Sequence, residues 1–520
     1  MEYVPQEIQP GTLDGTSQNS GLMEGAQMGK EYVISYDIGT SGVKVLFFSL
    51  EGKILGNMTE HYPLYSDENN FAEQDHELFW AACCKATHHI LASNNIPVDH
   101  CVGIAFGTQW KTIIPIDASG HVLRRGIIWM DKRAGKQAQQ LNRSFQQNLF
   151  CESDYWPKLL WFKENEPELY NKSAYILETG AYLKWKATGE FVSDITNSYM
   201  RSNQPSTQQF YNEILRYTGL DEGKFPETCE ATDNIGQLTS QAAEALGLCV
   251  GIPVFGGCCD ISALAIGSGC CARGDAHLYL GTSGWIGHIA PHDGKAVYFC
   301  PLDQEDDVSF YGLGASVGSS TGWAIQQLYP NEKREFGDDI WDFLAEELKG
   351  IKPGAGRLLA APWFFGARPP FASGKARAVF LNLNSTHTRA HMLAAILEGF
   401  CYIVRQNLSL LNSRIDQPLK SITVCGGGAK DKFWMKAMAN ILKIPVRVVS
   451  DPENTGAIGV AYCALIGLEK RADFHAVKNH IKIDTIYEPD PASFAEYDLL
   501  YSQFEKIHPI LTELFHAMNS

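Results

Sequence analysis

The chain has 520 residues, more than one hydrophobic core normally organises, so two domains with a ligand cleft between them are expected. A net charge of -16 and a pI near 5.4, without any lysine or arginine run, exclude a phosphate-backbone footprint and argue against nucleic acid as a partner; no apolar stretch approaches the roughly 20 residues of a membrane span. Fourteen cysteines, including the vicinal pairs Cys83 with Cys84, Cys258 with Cys259 and Cys270 with Cys271 but no CxxC spacing, exclude a disulfide scaffold and read as buried reduced thiols of a cytoplasmic protein.

Residues 1–29 are polar and rich in Gly, Ser and Gln, and are expected to form a flexible tail. From Tyr32 the runs YVISYDIG, GVKVLFFSL and KILGNMTEHYP predict a meander of strands. HELFWAACCKATHHILAS, from His76, places Leu78, Phe79, Ala82 and Ala86 at helical spacing. VGIAFG and TIIPID read as strands, with a turn at Asp117 to Gly120.

After Gly251 the pattern restarts with IPVFGG, an acid at Asp260, the small-residue segment ISALAIGSG, and HLYLGTSGWIGHIA as strand, turn and strand. A division near Gly256 follows, with an N-terminal domain over 30–256 and a C-terminal domain over 257–520. In the second half, RAHMLAAILEGFCYIVRQNLSLLN predicts a long amphipathic helix and SITVCGGG a strand ending in glycines. KDKFWMKAMANIL then reads as a helix, PVRVVS as a strand, and TGAIGVAYCALIG as a small-residue helix able to pack closely. This alternation means layered α/β domains.

Gly-Thr-Ser-Gly occurs twice, at Gly39 to Gly42 and Gly281 to Gly284, each time after an apolar run. Such a turn can expose successive backbone N–H groups and two hydroxyls without a bulky Cβ in the way, which makes it a phosphate cradle, although a lone copy is commonly just a tight hairpin. One copy in each half predicts two related modules gripping a polyphosphate from opposite sides. Asp37 precedes the first turn where Leu280 precedes the second. A carboxylate beside a phosphate turn calls for an intervening cation, and magnesium fits. The run GGGAK, Gly426 to Lys430, is either a tight strand-to-helix turn or a place where a base and ribose approach the backbone.

Rival enzyme readings are weaker. GASVG satisfies GxSxG with Ser316 as a nucleophile, but lies in a small-residue run that reads as close packing. No GxxxxGK[ST] is present, and neither is HExxH. Asp131, in WMDKR before KRAGKQAQQL, reads on its own as a helix N-cap.

DIGTSGVK, GGCCD, LGTSG and GGGAKDKFW, in this order, resemble the FGGY family of carbohydrate kinases. FAEQDHELFW, GIIWMDKRA and KATGEFVSD are similar to segments of its xylulokinase branch, and the likeness runs from about Glu31 to about Leu468. The resemblance implies two actin-like, ribonuclease H-like domains with a catalytic cleft between them, ATP and Mg2+ as cofactors, a small-molecule sugar as substrate, and homodimerisation as a family expectation. It implies Asp260 as catalytic base and Asp37 as the metal residue. Gly39, Thr40, Ser41 and Lys44 would face the phosphates from one side and Gly281, Thr282 and Ser283 from the other. Gly426, Gly427, Gly428 and Lys430 would hold adenosine, and Gln109, Trp110, Lys111, Asp131 and Asp260 the sugar.

Where the family reads GQMHG, this chain has TQWKT, so Trp110 and Lys111 replace a methionine and a histidine. GERTP becomes GARPP with Arg368 kept, and LETGA stands where a Pro-Lys-Asp is usual. The resemblance makes D-xylulose the first acceptor to consider, and these replacements set another polyol, ketose or sugar acid beside it. A non-catalytic sugar- or nucleotide-binding protein of the actin superfamily is the alternative of a different class. Lys111 reads either as a solvated strand-end residue or as a group for a hydroxyl or carboxylate.

Overall fold

The computed structural model describes residues 31–67, 71–146, 148–198, 200, 205–291, 306–313, 317–367 and 373–519. The N-terminal segment, Ser316 and Arg368 lie outside the described residues.

The first sheet has six strands. They are β1 (Tyr32–Ile38), β2 (Gly42–Ser49), β3 (Ile54–His61), β4 (Cys101–Thr108), β5 (Asn234–Gln237) and β6 (Pro253–Cys259), in spatial order β5-β6-β4-β1-β2-β3. β1, β2 and β3 form the antiparallel meander predicted from the sequence, while β4 and β6 run parallel to β1. The nearly continuous apolar run of β1 suits a strand covered on both faces, and the alternating edge strand β3 is half solvated. Helix α1 (His76–Asn94) starts where the Asp75 side chain accepts from the Glu77 N–H at 3.0 Å and ends at a left-handed Asn95.

The second sheet repeats the plan. Its strands are β7 (Ala276–Leu280), β8 (Gly284–Pro291), β9 (Asp306–Gly312), β10 (Ile422–Cys425), β11 (Val446–Val449) and β12 (Ile483–Tyr487), in order β9-β8-β7-β10-β11-β12. An antiparallel meander again leads into parallel strands, with an antiparallel strand at the far edge. The repeated turn thus marks a repeated fold.

Gly256, where the sequence suggests a division, lies inside β6 of the first sheet. IPVFGGCCD looks like a restart because an apolar run followed by an acid repeats the pattern of β1. It is instead the last parallel strand of the first sheet, and the chain enters the second at Ala276.

Helix α2 (Asp260–Gly267) follows β6. Helix α3 (Arg389–Asn412) fills the core of the second module, and α4 (Lys432–Leu442) and α5 (Thr455–Gly467) follow β10 and β11. Although α5 comes from the second half of the sequence, it packs on β1, β4 and β6 of the first sheet and against α2. The Ser35 hydroxyl donates to the Ala457 carbonyl at 2.7 Å. Gly459 lies against the Ala263 carbonyl and Gly267 against the Thr455 carbonyl, so α2 and α5 touch backbone to backbone. The small residues of TGAIGV permit this approach, as the sequence predicts, but the surface they approach belongs largely to the other half.

Candidate active site

The register of the first sheet brings the chemistry to one edge. Thr108 of β4 pairs with Ile38 on one side and Cys259 on the other. Gly39, Gln109 and Asp260 therefore leave three neighbouring strands at the same level. With strands about 4.8 Å apart, the ends of β1 and β6 stand about 10 Å from each other. In the second sheet Tyr279 pairs with Cys425, which sets Gly426 level with Leu280, the residue just before Gly281. Both edges face one cavity of about 800 Å3. Ligands of open α/β sheets bind beyond such carboxyl ends.

Asp37 is half-buried, opposite Lys44 in the hairpin register, and the cavity reaches both. Its carboxylate lies against Gly456, in the first turn of α5, where a side chain would collide with it. Burial raises its proton affinity, and the Lys44 ammonium opposes that. Lys44 also donates to the Glu453 carbonyl, across the cleft.

Asp260 opens α2 and lines the cavity. Burial first, then the neighbouring Cys259 and Asp37, push its carboxyl well above the usual carboxylate range. Its Oδ1 is buried without a hydrogen-bond partner among the described residues. Gly257, at φ +68, makes the bulge in β6 that aims Asp260, with its Cα side pressed against the Phe106 backbone. Thr196 anchors this segment: its hydroxyl accepts from the Cys259 N–H at 2.6 Å, and its carbonyl accepts from Trp110 Nε1 at 3.1 Å.

The two phosphate-turn candidates face the cavity from opposite sheets, with Gly39, Thr40 and Ser41 on one and Gly281, Thr282 and Ser283 on the other. Thr40 is braced from behind: Trp129 Nε1 donates to its hydroxyl at 2.9 Å and Gln74 Nε2 to its carbonyl at 2.7 Å. Gly426, Gly427 and Gly428 line the cavity beside Leu280 and Trp434. Lys430 does not; its ammonium is 2.5 Å from the Glu453 carboxylate.

The expected sugar residues separate. Trp110 and Lys111 line the cavity. Gln109 is behind the wall, its Nε2 donating to Gln74 Oε1 at 2.8 Å. Asp131 is fully buried and does not line the cavity. Its oxygens accept from the Ala72 N–H at 2.6 Å, the Arg133 N–H at 3.0 Å, Arg133 Nε at 2.9 and 3.0 Å and Arg133 Nη2 at 2.7 Å. It caps no helix either, since the next one begins at Gly135 after Ala134.

Trp129 and Ser153 line this end of the cavity, and sequence reading alone missed them. It also missed Asp154, whose Oδ1 accepts from Lys111 Nζ at 2.6 Å. The signal was ambiguous, because CESDYW before an apolar run reads as a helix cap and nothing more. Lys158 is buried and donates to the carbonyls of Lys111 and Ile128. Burial pulls its ammonium down to about 7.

No group of three or more His, Cys, Asp and Glu side chains able to hold a metal occurs among the described residues. Two half-buried carboxylates, one with an orphaned oxygen, suit a hard cation that brings water and phosphate oxygens with it. They do not make a closed cage.

The model of the N-terminal domain of the FGGY family of carbohydrate kinases matches residues 32–267, and that of its C-terminal domain matches 277–468. A xylulose kinase of Staphylococcus epidermidis is 27% identical over 92% of this chain and 97% of its own length. The structure of a ligand-bound xylulose kinase from Lactobacillus acidophilus superposes with a TM-score of 0.82 at 22% identity, covering 94% of this chain and all of that one. A gluconate kinase from the same organism gives 0.81 at 21% identity, over 94% and 99%. The duplicated sheets are the two actin-like, ribonuclease H-like domains of this fold, and no helix among the described residues is long and apolar enough to cross a membrane. With both domain models matched in order and the two phosphate-turn candidates facing one cleft, this chain belongs to the FGGY family of carbohydrate kinases and is xylulokinase-like.

Proposed function

We propose that the protein transfers the γ-phosphoryl group of Mg-ATP to a hydroxyl of a ketopentose or related polyol, with D-xylulose as the first candidate, in the cytoplasm. The observation that carries this reading is Asp260, a carboxylate with raised proton affinity and one orphaned oxygen, at the cleft between the two Gly-Thr-Ser-Gly turns. A carboxylate so placed accepts the proton of the attacking hydroxyl, while the bond from the γ-phosphorus to the β,γ-bridging oxygen breaks and ADP leaves.

Asp37 would hold magnesium, with Lys44 beside it. Thr40, Ser41, Thr282 and Ser283 would meet the phosphates, and Gly426 to Gly428 with Trp434 the adenosine. Magnesium would supply charge neutralisation on the transferring group. Gln109 and Asp131 would serve the sugar indirectly, Gln109 by bracing Thr40 through Gln74 and Asp131 by fixing the wall segment between Ala72 and Arg133. The free cysteines and an ATP donor fit a reducing, cytoplasmic setting.

A sugar acid as acceptor is the second reading, because the gluconate kinase shares this fold as closely as the xylulose kinase does. Sugar-dependent ADP release across ketopentoses, pentitols, ketohexoses and sugar acids tests both, with Asp260→Asn as the blank. A responder that is silent in the variant supports the reading. Silence across the whole panel, with ATP still bound, overturns it.

A further inference from the structure

We propose that the Lys111–Asp154 ion pair determines acceptor specificity, selecting an uncharged, hydroxyl-bearing sugar and rejecting sugar acids; this deepens, and rests on, the kinase reading above. Lys111 lines the cavity with its side chain 15% exposed, whereas Asp154, 2.6 Å away, is 3% exposed and lies beneath it. The second oxygen of Asp154 accepts from the Cys151 N–H at 2.7 Å, so the aspartate is fixed from both sides.

An ammonium has three N–H donors, and one points to Asp154. A sugar hydroxyl, which donates as well as accepts, can join this pair from the cavity without bringing charge, and it loses little on leaving water when it gains such a partner. An incoming carboxylate meets a different field. The positive charge of Lys111 is already matched by a buried carboxylate, and a second anion beside it would face repulsion and an uncompensated desolvation cost.

The pair is held rigidly. Lys111 occupies the left-handed region at φ 61, a strained conformation for a lysine. Its carbonyl accepts from Lys158 Nζ, which also donates to the Ile128 carbonyl at 3.0 Å, one residue before Trp129. Asp154 and Lys158 are four residues apart at the start of the helix Tyr155–Asn165. One grips the side chain of Lys111 and the other its main chain. The ammonium of Lys111 also sits 4.5 Å from the centre of the Trp110 ring, whose Nε1 is tied to Thr196. Neither residue can swing away alone. Lys158 is on this account a positioning residue.

Trp110 and Trp129 report on the pocket. Their fluorescence in the full-length protein, titrated with D-xylulose, xylitol and D-xylonate, measures binding apart from turnover, with ADP release followed in parallel. Wild type should bind the neutral compounds at least about tenfold more tightly than xylonate. Asp154→Asn, which keeps an acceptor for the Cys151 N–H but strips the compensating charge, should bring that ratio near one or invert it. Lys111→Met should weaken the neutral sugars about tenfold without favouring the acid. Lys158→Met leaves both charges in place and should raise KM several-fold with kcat and the ratio retained.

Xylonate bound as tightly as the neutral sugars, a ratio unmoved in folded Asp154→Asn, neutral-sugar affinity unmoved in folded Lys111→Met, or no response to either class would overturn the proposal. Neutral preference without ADP release would remove the kinase reading and leave the specificity intact. ADP release with an indifferent pocket would do the reverse.

Discussion

The two halves share a strand order but divide the work. At the strand ends of the first sheet stand Asp37, Gln109 and Asp260; at the corresponding ends of β7 and β10 stand Gly281 and Gly426. The first module presents the carboxylates of Asp37 and Asp260 to the cavity, and the second presents glycine backbone with the hydroxyls of Thr282 and Ser283. A duplicated scaffold therefore does not imply duplicated chemistry. The position two residues before the turn makes the point: Asp37 carries a carboxylate there, set against the glycine of α5, whereas the second module has Tyr279, and Leu280 after it is packed against Gly426 and Gly428.

Removing the proposed proton acceptor should break the comparison most sharply. Asp260→Asn is expected to lower kcat about a thousandfold while ATP binding, read by calorimetry, stays within a few-fold. Asp37→Asn makes the first turn as uncharged as the second, and should cost about a hundredfold in kcat/KM together with a weakened response in a magnesium titration. A first turn that tolerated this change would mean the halves are chemically alike after all.

Lys44→Met should act more mildly, raising KM for ATP roughly three- to fivefold. Because Lys44 opposes the burial that raises the Asp37 pKa, its loss should move the acid limb of the pH–rate profile to higher pH. An unmoved limb would separate Lys44 from Asp37.

Glu398, in α3 of the second module, should matter only to stability. It accepts from the Gly354 N–H at 3.0 Å and from the Tyr497 hydroxyl at 2.9 Å, and burial pushes its carboxyl up to about 8 from near 4.5. The folded protein holds this proton more tightly than the unfolded chain does. Its contribution is complete below about 4.5 and is lost as the pH rises to about 8. Glu398→Gln, which fixes the neutral form, should leave kcat unchanged and resist thermal unfolding better than wild type at pH 9 but not at pH 5, by about 1–3 kcal/mol.

Local pattern made much of this legible. The apolar runs at Tyr32, Gly42 and Val446 and the helix from Arg389 appear where their periodicity puts them, because a short buried strand and a long amphipathic helix each depend on residues adjacent in sequence. Both turns and Asp260 reach one cleft for the same reason: each follows directly on a strand. Asp131 and Asp154 were not separable that way. Each is an acid in a short polar stretch near a helix start, and only the tertiary fold puts Arg133 around one and Lys111 above the other. The division at Gly256 failed likewise, because sequence repeats the grammar of a strand without saying which sheet will pair with it.

The packing of α5 on the first sheet bears on how the chain comes off the ribosome. Val33, Leu46 and Ala105 share a core with Ala457, Val460 and Ala461, so the surface of β1 and β4 waits for a segment made about 350 to 420 residues later. The N-terminal module thus lacks part of its own covering until α5 is made. Nascent chains that stop at Gly267 should expose that face and bind chaperones, and adding residues 455–467 as a separate peptide should quiet them.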